Sequence, residues 1–181
     1  IQNINFIKGD SSYGGIINIQ NGTVTVLSCS FTNNSLTQYS NYGGAIYINY
    51  GNLNVKDSTF NNIVAKDSGG ANFGGAIYGS SQASIYVVNS TFYNTTGRSG
   101  GAIYIYESNI AVIDSKFENC KTPSYYNKGS DIYSTTNSGS SAGNSSVSLI
   151  CNDYDGKLRY DNITEVYLGN NAKLVTYIVS G

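Results

Sequence analysis

Six residues, Gly43, Gly44, Ala45, Ile46, Tyr47 and Ile48, recur through this chain with small changes. Copies lie at 14–19, 74–79 and 100–105, and a degraded copy lies at 129–134. The starts are 29, 31, 26 and 29 residues apart. A period of this size marks a stack of supersecondary units, each too small to bury its own apolar face. That constraint rules out most folds before any other residue is considered.

A second phrase follows each copy. It runs from Val24 to Phe31, Leu53 to Phe60, Ile85 to Phe92, Ile110 to Phe117 and Val147 to Tyr154, always seven steps from aliphatic to aromatic. Insertions fall between phrases, as between Phe60 and Gly74. Fixed segments joined by variable ones divide as strands and loops do. Val24 and Val26 alternate with Thr25, and the same holds for Leu53 and Val55, Ile85 and Val87, Ile110 and Val112, and Val147 and Leu149. Period two is a strand with one buried face. Small polar residues then suit a bend. The aromatic turns inward, and Asn33, Asn62, Asn94 and Asn119 follow two residues later. Asn tolerates left-handed backbone and can stack as an amide ladder.

The glycine phrase alternates too. Ile17, Ile46, Ile77, Ile103 and Ile132 share a core face, while Tyr47, Tyr78, Tyr104 and Tyr133 point the other way. The glycine pair permits positive φ or close backbone approach at a corner. The unit is too short for a four-stranded propeller blade and lacks the helix of leucine-rich or ankyrin repeats. The chain therefore reads as all-β: a single parallel β-helix of about five to six coils, with Ile-on-Ile and Phe-on-Phe ladders (Phe31, Phe60, Phe92, Phe117) at strand spacing, roughly 4.8 Å. Residues 1–156 form the repeats. Residues 157–181 depart from the pattern and read as capping strands or the start of a next module, with strands expected around 158–160, 165–168 and 174–179.

Composition narrows the function. Only 12% of residues are charged, net charge is −1, and the basic residues are scattered, so a nucleic-acid partner is not expected. No apolar run is long enough to span a bilayer. The chain opens on Ile1 with no signal peptide legible, which reads as a processed chain or an excerpt. Cys29, Cys120 and Cys151 are an odd set and each reads as a small buried thiol, with a Cys120–Cys151 bridge as the alternative.

A Gly-Gly-Ala-Ile corner together with a Ser-Thr-Phe-x-Asn bend, as in Ser58, Thr59, Phe60 and Asn62, resembles the repeats of chlamydial polymorphic outer-membrane proteins. It also resembles adhesin-like surface proteins of methanogenic archaea and some protist surface proteins. The likeness spans roughly residues 1–154. One departure is that Asn follows Phe by two residues here, whereas the chlamydial pattern places it third, a place met only by Asn34. The resemblance implies a right-handed parallel β-helix, an extracellular or cell-surface location, and an adhesive or structural role. It carries over no catalytic residue.

Some β-helices cleave polysaccharides with clustered carboxylates or Ca²⁺. Asp57, Asn89 and Asp114 occupy equivalent places in consecutive coils, but the simpler account is capping of the bend by Asx side chains. With no His in the chain, His-based catalysis is excluded. Asn152, Asp153, Tyr154, Asp155 and Gly156 have the flavour of a calcium loop, yet Cys151 and Asn162 fall where an EF-hand needs its first and twelfth ligands, so they read as a turn. No catalytic residue, metal or cofactor is expected. Sequons at Asn21, Asn33, Asn89, Asn94, Asn144 and Asn162 are candidate glycan acceptors, Asn94 and Asn144 foremost as loop residues. The tyrosine row Tyr47, Tyr78, Tyr104 and Tyr133 is expected to be a surface ladder that stacks on sugars or meets a partner.

These features point to a non-enzymatic, extracellular structural or adhesive β-helix whose partners are other protein subunits or cell-surface glycans. One alternative is a filament subunit stacking end to end through open strand edges. The other is a polysaccharide lyase or hydrolase.

Overall fold

The computed structural model describes residues 1–37, 40–65, 70, 72–122, 129–137, 144–154 and 166–178, and within them every regular element is a strand. The strands form a β-solenoid with three six-stranded sheets, each coil adding one strand to each sheet. All pairing between strands is parallel.

The first sheet, here the phenylalanine sheet, holds Asn5–Ile7, Ser30–Leu36, Thr59–Ala65, Thr91–Thr96, Lys116–Glu118 and Asp153–Tyr154. The isoleucine sheet holds Ile17–Ile19, Ile46–Asn49, Ile77–Ser80, Ile103–Tyr106, Ile132–Thr135 and Val166–Leu168. The valine sheet holds Thr23–Leu27, Asn52–Lys56, Ser84–Val88, Asn109–Ile113, Ser145–Ile150 and Ala172–Ile178. The register stacks like on like: Phe31 on Phe60 on Phe92 on Phe117, and Ile17 on Ile46 on Ile77 on Ile103 on Ile132. Consecutive Phe rings lie 4.7–4.9 Å apart in nearly parallel planes, so Phe60 and Phe92 are each stacked between two other rings at the strand spacing. Phe31, Phe60, Phe92 and Phe117 are fully buried, as are Ile46, Ile77, Ile103 and Ile132, while Ile17 is only partly covered near the first coil. The alternation expected of the two phrases therefore holds in the isoleucine and valine sheets.

Each corner has its own device. At the isoleucine corner the first glycine of each pair has φ of 60–70°. A Cβ at the second glycine would run into the backbone of the coil above, 2.4 Å from Gly44 O at Gly15 and 2.0 Å from Gly75 O at Gly44. Thus one glycine supplies the turn and the other the close approach. At the next bend Ser28, Asp57, Asn89, Asp114 and Cys151 all adopt positive φ. Beside them runs a buried column of Cys29, Ser58, Ser90, Ser115 and Asn152. The backbone N–H of Cys29 donates to Ser58 Oγ (3.1 Å), that of Ser58 to Ser90 Oγ (3.2 Å), that of Ser90 to Ser115 Oγ (3.1 Å), and that of Ser115 to Asn152 Oδ1 (2.8 Å). Each serine hydroxyl in turn donates to the carbonyl two residues back. The buried backbone N–H groups of Cys29, Ser58, Ser90 and Ser115 are thus each paired with the side chain one coil on.

Asn33, Asn62, Asn94 and Asn119 sit at φ of 52–56°. Their amides form the expected ladder: Asn62 Nδ2 donates to Asn33 Oδ1 (3.2 Å), Asn94 Nδ2 to Asn62 Oδ1, and Asn119 Nδ2 to Asn94 Oδ1 (3.1 Å).

The C-terminal segment continues the solenoid where it is described. Val166 stacks on Ile132 and Tyr167 on Tyr133, and Ala172–Ile178 adds a sixth strand to the valine sheet with a bulge at Val147/Ser148. The strand expected around 158–160 lies outside the described residues.

Candidate functional site

The tyrosine row is not a surface ladder. Tyr47, Tyr78, Tyr104 and Tyr133 stack along the outer side of the isoleucine sheet, with Tyr47–Tyr78 and Tyr78–Tyr104 centroids 5.5 and 5.3 Å apart and their planes nearly parallel. Yet all four are buried, at 6–9% exposure. Much of the cover comes from the residue just before each of the first three glycine corners, with Tyr106 and Tyr167 packed against the far end of the row. Tyr13, Tyr42 and Phe73 precede Gly14, Gly43 and Gly74, and the sharp turn folds them back over the following strand. Tyr42 meets Tyr47 and Tyr78 edge-on, and Phe73 stacks on Tyr104 at 4.6 Å. The backbone fixes this arrangement, with Gly14 N–H donating to Tyr42 O (2.9 Å) and Gly43 N–H to Phe73 O (3.0 Å). The outcome is a second, aromatic core outside the sheet. Aromatics at the position before the glycine were legible in the sequence and carried the clue.

Burial, and then neighbouring tyrosines, push the Tyr78 and Tyr104 phenols well above the ordinary value of 10.0. A raised folded-state pKa gives stability that is complete below the unfolded pKa and lost as pH rises past it. Stability should therefore stay level in this term below about pH 10 and fall above it. In an alkaline titration followed at 295 nm and by circular dichroism, a subset of tyrosines should ionise only together with unfolding. A smooth titration of all 17 tyrosines with unchanged dichroism would contradict this.

The surface that does face solvent with an organised pattern is the outer side of the valine sheet. Its outward residues fall in three rows along the solenoid axis. The first is Thr23, Asn52, Ser84, Asn109 and Ser146. The second is Thr25, Asn54, Tyr86, Ala111 and Ser148. The third is Leu27, Lys56, Val88, Ile113 and Ile150. A groove of about 500 Å³ lies over the first two rows and crosses five strands. Its lining holds no Asp, Glu, Lys or Arg among the described residues. A second hollow of about 390 Å³, reaching Lys56, adjoins it on the other side of Tyr86. Tyr86 is 46% exposed and stands between two smaller neighbours, Asn54 and Ala111.

The polar residues weighed for chemistry belong to the scaffold. Asn89 Nδ2 donates to Asp57 Oδ1 at 2.7 Å, and Asp57, Asn89 and Asp114 all hold left-handed bend positions, as expected of Asx caps. Among the described residues no three of His, Cys, Asp and Glu come together. Asn152 is buried, and its Nδ2 donates to Val112 O (2.8 Å), so its amide is part of the bend column; Asp155 and Gly156 lie outside the described residues. Of the sequons, Asn94 is not on a loop. It lies inside the Thr91–Thr96 strand with its Nδ2 engaged in the amide ladder, because the left-handed bend occurs within the strand. Asn89 Nδ2 is likewise engaged. Asn21 and Asn144 are exposed, Asn33 heads the ladder, and Asn162 lies outside the described residues. The three cysteines are free. Cys29 and Cys120 are buried as expected, whereas Cys151 is half-buried, being at the bend position of its coil where side chains face outward. Burial, with the Asp131 carboxylate nearby, pushes the Cys120 thiol up, which keeps it unreactive.

Residues 28–49 match the Chlamydia polymorphic membrane protein (Chlamydia_PMP) repeat. The matched span begins at the bend, passes through Phe31 and the Gly43–Gly44 corner, and ends with the Ile46–Asn49 strand. It holds one bend and three strands, Ser30–Leu36, Asn41–Tyr42 and Ile46–Asn49, and so supports an outer-membrane-protein type of repeat. No curated protein and no solved structure matches the chain.

Proposed function

We propose that this chain is a non-enzymatic structural and adhesive solenoid displayed at a cell surface. The observation that carries this reading is the coincidence of the surface-protein repeat at residues 28–49 with a structural unit that the chain repeats coil after coil. A fold built this way offers long, flat, regular faces, and solenoids use such faces for extended contacts. The carboxylates best placed for an enzyme are engaged or positioned as bend caps, which favours binding over bond cleavage.

Antibodies raised against the purified chain should label intact, unpermeabilised source cells. Labelling that appears only after permeabilisation would overturn the surface location, and turnover of a neutral or acidic polysaccharide by the pure chain would overturn its non-enzymatic character.

A further inference from the structure

We infer that the outer face of the valine sheet, centred on Tyr86, binds a neutral polysaccharide laid along the solenoid axis. The inference rests on the adhesive reading above and names the class of ligand for it. Three observations converge on it.

The first is length and shape. The larger groove crosses five consecutive strands, so at strand spacing it runs roughly 19 Å. That is an extended trough suited to a short run of linked sugar residues, with no deep closed cavity for a compact metabolite.

The second is charge. The trough is lined by amides, hydroxyls and aliphatic or aromatic carbon, with no ionisable acid or base among its described residues apart from the Tyr86 phenol. A polyuronate, a nucleic acid or an acidic peptide would find no compensating charge there. Sugar hydroxyls, each both donor and acceptor, match a surface of Asn, Ser and Thr side chains that likewise offer both.

The third is the state of those groups. Asn52 Nδ2 donates to Thr23 Oγ1 (3.2 Å) and Ser146 Oγ to Asn109 Oδ1 (2.6 Å), so part of the first row is held in place. Asn54, Ser84 and Ser148 make no side-chain hydrogen bond among the described residues and remain available. Between them Tyr86 offers a half-exposed ring, with Ala111 directly across on the next strand leaving its flank open. The apolar C–H face of a sugar ring covers an aromatic face while its equatorial hydroxyls reach the amide and hydroxyl rows. Tyr suits this use because it is apolar in body and polar at its tip. A polypeptide partner fits the trough less well, since the sheet's backbone groups are already paired within the ladder and the two rows that line it are mostly polar; the apolar row of Leu27, Val88, Ile113 and Ile150 lies outside it.

The test is affinity electrophoresis of the full chain in native gels cast with hydroxyethyl cellulose, galactomannan or xylan, with polygalacturonate and blank gels as controls. Retardation is expected with at least one neutral polymer, and it should change little with added salt because no ion pair is involved. Tyr86→Ala should weaken the apparent affinity by about tenfold or more, the usual effect of removing a central aromatic anchor. Ala111→Arg, which fills the flank of the ring, should do the same. Both positions face outward, so melting should match the parent chain, and retardation is read for each variant relative to its own mobility in a blank gel, because Ala111→Arg adds a positive charge to a chain of net charge −1. No retardation by any neutral polymer, or retardation unchanged in Tyr86→Ala, overturns the inference. So does Tyr86-dependent binding to protein-coated surfaces alone. In any of these cases, surface labelling with retained adhesion would leave the adhesive reading standing.

Discussion

Ile77→Asp should leave no cooperatively folded solenoid at room temperature. Ile77 is fully buried and stacked between Ile46 and Ile103 in the middle of the isoleucine ladder. Truncating such a side chain costs about 2–5 kcal/mol. The carboxylate adds several more, because it would sit unpaired among aliphatic rungs or remain protonated with its hydrogen-bonding needs unmet. The sum, more than about 5 kcal/mol, is comparable with the whole stability of a domain. In a solenoid the damage is central, since each coil is stabilised only by its neighbours. Tyr78→Ser, one residue on and facing the other way, should cost about 3 kcal/mol and leave a folded chain, because it removes a ring from the outer aromatic cluster and no charge enters. Its melting point should fall by roughly 6–12 °C. Circular dichroism melts distinguish the two. A folded Ile77→Asp, or a Tyr78→Ser with an unchanged melting point, would mean that the facing of this strand is wrong.

A single methyl group at Gly75 should be nearly as damaging. The Cβ of Gly75→Ala would sit 1.9 Å from Gly101 O and 2.9 Å from the backbone of Thr96. Neither obstacle is a side chain that can swing away, so the two coils must separate locally and give up ladder hydrogen bonds, including Gly75 N–H to Gly100 O (3.0 Å). Overpacking usually costs about 1–3 kcal/mol, and backbone on both sides places this case at or above the upper end. Gly79→Ala, four residues later, is the control. Its Cβ would meet the Cδ1 tip of Ile85 at 2.5 Å, an obstacle that a rotamer change relieves, and the equivalent positions in neighbouring coils carry Ile48 and Ile105. Gly75→Ala should therefore lower the melting point by about 6 °C or more and Gly79→Ala by clearly less. Equal effects would argue against close backbone approach at the corner.

The scaffold was legible because its ladders repeat in the sequence. The seven-step spacing from Val24 to Phe31 and its copies places the aliphatics and the Phe on one face, and no alternative register keeps Phe60 over Phe31. The amide ladder was legible for the same reason: Asn33, Asn62, Asn94 and Asn119 share one place in the repeat. Facing toward solvent was harder to read. Period two says that Tyr78 points away from Ile77, and it does, but it says nothing about what lies beyond. Tyr42 and Phe73 belong to the connection and not to either phrase, so a reading built on the phrases missed the lid that they form. Tyr86 was hidden by the opposite effect. It is the odd aromatic in a row of Thr25, Asn54, Ala111 and Ser148, and ladder logic draws attention to positions that repeat. The sequon at Asn94 was misplaced for a related reason, since its left-handed bend looks like a loop in sequence but interrupts a strand in space.

Which aromatics this protein presents to a partner decides the account, and mild nitration with tetranitromethane followed by peptide mass spectrometry measures that directly. Tyr86 should be modified early, together with Tyr13, Tyr50 and Tyr93, all of which are exposed. Tyr47, Tyr78, Tyr104 and Tyr133 should stay unmodified until the chain unfolds. Rapid nitration of the Tyr47–Tyr133 row with protection of Tyr86 would contradict the account and return the contact face to the isoleucine sheet.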